Sequence, residues 1–172
     1  GFDILTFDFR GHGGSPPEAN YRPRQLPSDR ELSDMRGAIA FSGSYLEAHG
    51  RPRRIGLFGI SRGGGAAILA ASENNGVSAI VTDGAFSSDT AVEYMMKRFA
   101  PTFATIRVVA ENHPPLFFRF LRWLLFRECA RKFRCHFPSL RKVVVRSRRT
   151  PILFIHGEKD NYVPVGQSKA LF

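Results

Sequence analysis

Cysteine is nearly missing: Cys129 and Cys135 are the only two in 172 residues. That excludes a disulfide-built scaffold. If both lie on one helix, a separation of six residues puts them on different faces, too far apart to bridge. Cys135-His136 would make half a metal site, but no second pair accompanies it, so no metal is expected. Long apolar runs are also lacking. The densest stretch, 115–126, is interrupted by Arg119 and Arg122 and cannot span a bilayer. Polarity is not high enough for disorder: 43% of residues are apolar and mean hydropathy is −0.18. One ordinary domain with a sizeable core fits the length. The first residues (Gly1 to Phe7) already read as a buried strand, and Ala170-Leu171-Phe172 stop inside a helical pattern. Domains seldom start and stop within core elements, which predicts an internal piece of a longer protein.

Acidic residues are scarce, 15 against 25 Lys and Arg, yet the deficit is local. From Lys97 to Arg149 there are 14 Lys and Arg against Glu111 and Glu128 alone, while the remainder holds 11 basic and 13 acidic groups. The remainder reads as a near-neutral cytoplasmic domain, and no nucleic-acid partner is expected from so uneven a charge.

Residues 2–8 alternate and are rich in β-formers, and Arg10 to Pro17 breaks them into a loop. Ser28 with Glu31 forms a capping box, after which Leu32, Met35, Ala38, Ile39, Ser42 and Leu46 recur at helical spacing as far as His49-Gly50. Arg54 to Ile60 is a short apolar strand, followed by a small-residue helix from Gly63. Val77 to Thr82 and Pro151 to His156 are two more strands. Alternating strands and helices, with strands buried on both faces, predict an α/β fold with a parallel sheet and right-handed crossovers.

At a strand-to-helix junction stands Gly59-Ile60-Ser61-Arg62-Gly63. A serine hydroxyl becomes a nucleophile only when a sharp turn presents it near a base and near free backbone N–H groups. Glycines two before and two after permit such a turn, because side chains there would meet the strand and helix. Gly64, Gly65, Ala66 and Ala67 let the helix lie close to the sheet. The Arg62 N–H is then the natural first donor to an oxyanion. A second element, Pro151 to Pro164, is a strand ending in His156-Gly157 and followed by Asp160. It places a carboxylate at the sheet edge where ligands of open α/β sheets bind, and such a carboxylate can orient a histidine.

On these residues the chain resembles the α/β-hydrolase superfamily, in its lysophospholipase-like and serine-aminopeptidase-like esterase branch. Phe7 to Ser15 resembles the D-x-R-G-x-G-x-S stretch after strand 4. Gly59 to Gly63 resembles the nucleophile elbow after strand 5, and His156 to Pro164 the acid loop after strand 7. The resemblance implies a partial α/β-hydrolase fold, with strands 4–7-like in a parallel sheet and a helical cap between strands 6 and 7. It divides the chain into core 1–88, cap 89–148 and core 149–172. It implies Ser61 as nucleophile and Asp160 as acid, with Asp83 as the alternative acid, while Asp8 and Arg10 hold the loop after strand 4. The implied reaction is hydrolysis of carboxylic esters through an acyl-enzyme, without cofactor or metal. A peptidase or thioesterase would use the same machinery. In the family the histidine follows the acid, and none of His12, His49, His113, His136 and His156 follows Asp160. The fragment alone is therefore expected to be inactive.

Residues 115–126 carry an aromatic helix pattern. A helical wheel puts Phe117, Phe118, Leu121, Leu124 and Leu125 on one apolar face, with Arg119, Arg127, Arg131 and Arg134 opposite, interleaved with Phe120 and Trp123. The expected partners are a small acyl ester in the pocket and, through residues 115–149, either nothing beyond solvent or an anionic membrane surface. A non-catalytic chain that binds through this segment is the rival to the enzyme.

Overall fold

A computed structural model describes residues 2–19, 21, 26–103, 115–146 and 150–172. Helix α1 (Asp29–Ala48) starts with the expected capping box: the Ser28 hydroxyl accepts from the first turn and the Glu31 carboxylate accepts from the Ser28 N–H. It ends at His49, with Gly50 at φ +62°, as the Gly signal predicts. Leu32, Met35, Ile39 and Gly43 form its buried stripe. Next come β1 (Ile55–Ile60), α2 (Arg62–Glu73), β2 (Val77–Asp83) and α3 (Ser88–Phe103). The remainder is α4 (Pro115–Phe133), α5 (Leu140–Arg146), β3 (Ile152–Ile155) and α6 (Gly166–Lys169).

The three strands form one parallel sheet in the order β1-β2-β3. Because the order runs one way, right-handed crossovers bring every connecting helix to the same face. Accordingly α2 packs on β1 and β2, and α1 and α5 pack on α2. The core lies there, between Ile55, Val77 and Ile80 of the sheet and Ala66, Ala67, Ile68 and Leu69 of α2, with Ile39 and Leu140 behind. Among the described residues no helix packs on the opposite face, where the strands were expected to be buried as well. Phe58 is 65% exposed and Leu153 58%, with Ile60 and Ile155 beside them.

A second correction concerns residues 2–8, which form no strand and pair with none among the described residues. Alternation states that a segment suits a sheet, but pairing needs a neighbour with free backbone groups in register. Here ion pairs hold the chain instead: Asp3 pairs with Arg51, three residues past α1, and Arg10, just after the segment, with Asp34 of α1. Phe2 and Ile4 stay exposed.

The α4 wheel is also rotated from its expected setting. Phe118 is buried and Arg122 turns inward to Glu93 on α3, at 3.1 Å, while Leu124 and Leu125 are exposed. The ion pair with α3, one turn beyond Phe118, selects the inward face. Of the expected cap boundaries, 104–114 and 147–149 lie outside the described residues, as does His113. No described helix is long and apolar enough to cross a membrane.

Candidate active site

The parallel register lays the carboxyl ends of all three strands along one edge, since Ile60 pairs with Asp83 and Asp83 with Ile155. Ser61, Gly84 and His156 each follow at that edge. The end of β2 lies between the other two, its Asp83 carbonyl accepting from the Ser61 N–H and its Gly84 N–H donating to the Ile155 carbonyl.

Ser61 sits between β1 and α2 at φ 52°, ψ −117°, a left-handed conformation that side chains rarely adopt. Its N–H donates to the Asp83 carbonyl at 2.6 Å, so the amide of Ser61 is spent on fixing the turn. Arg62 is the first residue of the helix, so its N–H lies at the turn beside Ser61. The glycines are not equivalent. A Cβ on Gly59 would lie 2.5 Å from the Gly63 carbonyl carbon and 2.6 Å from the Gly64 nitrogen, whereas one on Gly63 would meet nothing within 4 Å. The expected collision thus holds on the strand side only. Gly64 and Gly65 do permit close packing: their Cβ atoms would press on Ala85 and Thr82, and on Pro27.

Arg62 is held from three sides. Its Nη2 donates to His12 Nε2 at 2.9 Å, its Nη1 lies 3.9 Å from the Glu31 carboxylate, and its guanidinium lies 5.8 Å from the centre of the Phe9 ring. Glu31 is itself buried, and accepts from the Tyr21 hydroxyl at 2.5 Å and from the Ser28 hydroxyl and N–H. Burial, then the Glu31 carboxylate, push the Tyr21 phenol well above its ordinary value. Sequence reasoning missed this cluster, having seen in Glu31 only a helix cap and in His12 only a loop residue. The expected clamp on the first loop is present. Asp8 accepts from the Gly14 N–H at 2.9 Å, and Arg10 grips Asp34 through its backbone N–H and its guanidinium, and Glu18 as well. The Asp34 carboxylate, opposed by desolvation and aided by Glu18, drives the Arg10 guanidinium still further up.

Asp160 lies in the loop after β3, where Oδ1 accepts from the N–H groups of Tyr162 (2.8 Å) and Val163 (2.9 Å). The Val163 amide foremost, with Tyr162 and the nearby His156, holds the carboxyl below the usual carboxylate value against a desolvation cost. His156 Nε2 donates to the Val163 carbonyl at 2.6 Å, and Nδ1 shares a 2.6 Å hydrogen bond with the Ser168 hydroxyl. Both nitrogens are thus engaged in holding the loop. Asp83 contributes its carbonyl to the turn. Among the described residues no histidine is hydrogen-bonded to Ser61, and no three His, Cys, Asp or Glu side chains are grouped to hold a metal. A cleft of about 470 Å³ exists elsewhere, between α4 and Phe137, and its lining includes neither Ser61 nor Asp160.

The parallel sheet with helices packed on it agrees with the fold that the resemblance implies. Residues 1–132 match the alpha/beta hydrolase fold, and the chain belongs to that family. It is 35% identical over 98 residues to the quorum-quenching protein AidA of Acinetobacter baumannii (strain MDR-ZJ06), covering 54% of this chain and 30% of AidA. Over 172 residues it is 26% identical to the uncharacterized protein Rv2307c of Mycobacterium tuberculosis (strain ATCC 25618 / H37Rv), covering 99% of this chain and 47% of that one. The chain therefore spans less than half the length of these relatives. Among solved structures it resembles the Pyrococcus furiosus esterase PF2001, with a TM-score of 0.59 at 22% identity, over 99% of this chain and 55% of that one. That likeness is one of fold.

Proposed function

We propose that this chain carries the nucleophile and the acid of a carboxylic ester hydrolase. The observation that carries the reading is the Ser61 turn: a serine at φ 52°, its own amide tied to Asp83, at the head of the helix that Arg62 opens. Ser61 Oγ attacks the acyl carbon as its proton passes to an imidazole, and the carbonyl oxygen becomes an oxyanion held by the Arg62 N–H. The imidazolium returns that proton to the departing alkoxide, which leaves as alcohol. Water then adds to the acyl-enzyme by the same route, releasing the acid and restoring Ser61. Asp160, already fixed by two amides, orients the imidazole and stabilises its charge, and Asp83 is the alternative acid. The imidazole comes from a histidine outside the described residues. The relatives favour this class, since one is named an esterase and another a quorum-quenching protein.

The test is turnover of p-nitrophenyl acyl esters by the complete protein. Ser61→Ala is expected to abolish it, and Asp160→Asn to lower it about 10⁴-fold. Substantial turnover by Ser61→Ala overturns the reading. Turnover of thioesters or peptides but not esters keeps the machinery and changes the substrate.

A further inference from the structure

The exposed side of α4 is a stripe made by Leu116, Phe120, Trp123, Leu124, Arg127 and Arg131, one or two turns apart along the helix. Residues so spaced fall on one face. Leu116 is 66% exposed and Trp123 52%, and the first four carry the apolar part while Arg127 and Arg131 carry the charge. Phe120 stacks on Trp123, with ring centres 5.9 Å apart, and the Arg127 guanidinium lies 5.4 Å from the Trp123 ring. Around the stripe Arg119 and Lys132 are also exposed, and Glu128, paired with Arg131 at 2.8 Å, is the single acidic residue of the helix.

We propose that this face docks on an anionic lipid bilayer. Charge complementarity selects an anionic partner. The apolar half then discriminates among anions: exposed leucines gain nothing from a phosphodiester chain, but leave water when pressed into the boundary between headgroups and acyl chains. Aromatic rings flanked by arginine are suited to that depth, the ring among headgroups and the guanidinium on lipid phosphate. Cations also flank the apolar residues, so the contact is shallow and electrostatic rather than a deep insertion. A helix of 19 residues is about 28 Å long, enough to lie along the surface. This inference does not depend on the ester hydrolase reading.

Trp123 is the only tryptophan in the chain, so its emission reports the contact directly. With vesicles of phosphatidylcholine and about one-third phosphatidylglycerol, the emission is expected to shift to the blue and the protein to co-sediment. Neither is expected with phosphatidylcholine alone, and about 0.5 M salt is expected to reverse both. Arg127→Gln with Arg131→Gln is expected to weaken binding about 30-fold, and Phe120→Ser with Leu124→Ser to abolish the blue shift. These side chains are exposed, so the fold does not depend on them. The proposal is overturned by absence of binding to anionic vesicles, by equal binding to neutral ones, or by either double variant binding as the parent does. Displacement of the vesicles by single-stranded RNA that itself shifts Trp123 would overturn it in favour of a nucleic-acid surface.

Discussion

Replacing Gly59 and Gly63 by alanine separates two residues that the G-x-S-x-G pattern treats alike. At Gly59 the new methyl would lie 2.5 Å from the carbonyl carbon and oxygen of Gly63 and 2.6 Å from the Gly64 nitrogen. These are backbone atoms in the first turn of α2, so no side chain can swing aside. Either the strand end or the helix must move, and α2 is anchored by a core of fully buried alanines. Overpacking costs about 1–3 kcal/mol where side chains can adjust, and a backbone clash sits at or beyond the upper end of that range. For a chain of this size about 3 kcal/mol lowers Tm by about 6–12 °C. At Gly63 the methyl meets nothing within 4 Å, and the residue lies in the first turn of α2. Alanine there gains helix propensity, about 0.5 kcal/mol so near the end, and raises Tm by about 1–2 °C. Thermal unfolding of the two variants, followed by circular dichroism, measures the contrast. Equal effects, or a larger loss at Gly63, would refute the account of the turn.

Two further predictions concern titratable groups. Asp160→Asn keeps the acceptor for the Tyr162 and Val163 amides but loses the charge. Because the folded carboxyl is held below its unfolded value of about 3.9, the charge stabilises the fold above that pH, and the benefit is lost as pH falls through the folded value. The Tm deficit of Asp160→Asn is therefore expected in full at neutral pH and to close as the pH falls through the folded value; a deficit that holds or widens in acid contradicts the assignment. Cys135 is fully buried and burial pushes its thiol up to about 11, while Cys129 is half-buried. A thiol reagent at pH 8 is expected to label Cys129 first and Cys135 only on denaturation; labelling of both at one rate would be the contrary result.

Helices α1 and α2 and strands β1, β2 and β3 were legible because their signals are local. The capping box at Ser28 and Glu31 lies within four residues, and the turn at Ser61 is framed by an apolar strand and a small-residue helix. Residues 2–8 show the limit of such signals. Phe2 and Ile4 flank Asp3 as in a strand, yet alternation names no partner, and Asp3 pairs with Arg51 just past α1 instead. The one-sided packing of the sheet among the described residues was likewise illegible. Apolar strands read as buried on both sides, but which side the helices cover follows from strand order, which no strand sequence states. On α4 the wheel gave the right helix and a face rotated at its far end, where Leu124 and Leu125 are exposed and Arg122 is drawn inward to Glu93, a residue 29 positions away.

The cluster under Arg62 carries this distinction into the chemistry of the site. The place of Arg62, directly after Ser61 at the head of α2, was readable from the sequence. That its side chain is anchored by His12, Glu31 and Phe9, from the first loop and the start of α1, follows only from tertiary contacts. The same contacts decide what His12 can do. Arginine has donors only, so the 2.9 Å contact requires His12 Nε2 to accept, and the remaining N–H on Nδ1 donates to the Arg10 carbonyl at 3.1 Å. A base for Ser61 must offer the serine a free lone pair, and the one His12 possesses is taken by Arg62. His156 is equally occupied, by the Val163 carbonyl and the Ser168 hydroxyl. These two described histidines are thus braces, one for the turn at Ser61 and one for the loop that holds Asp160. On the proposed reaction neither offers Ser61 a lone pair, so the reading requires an imidazole from another segment.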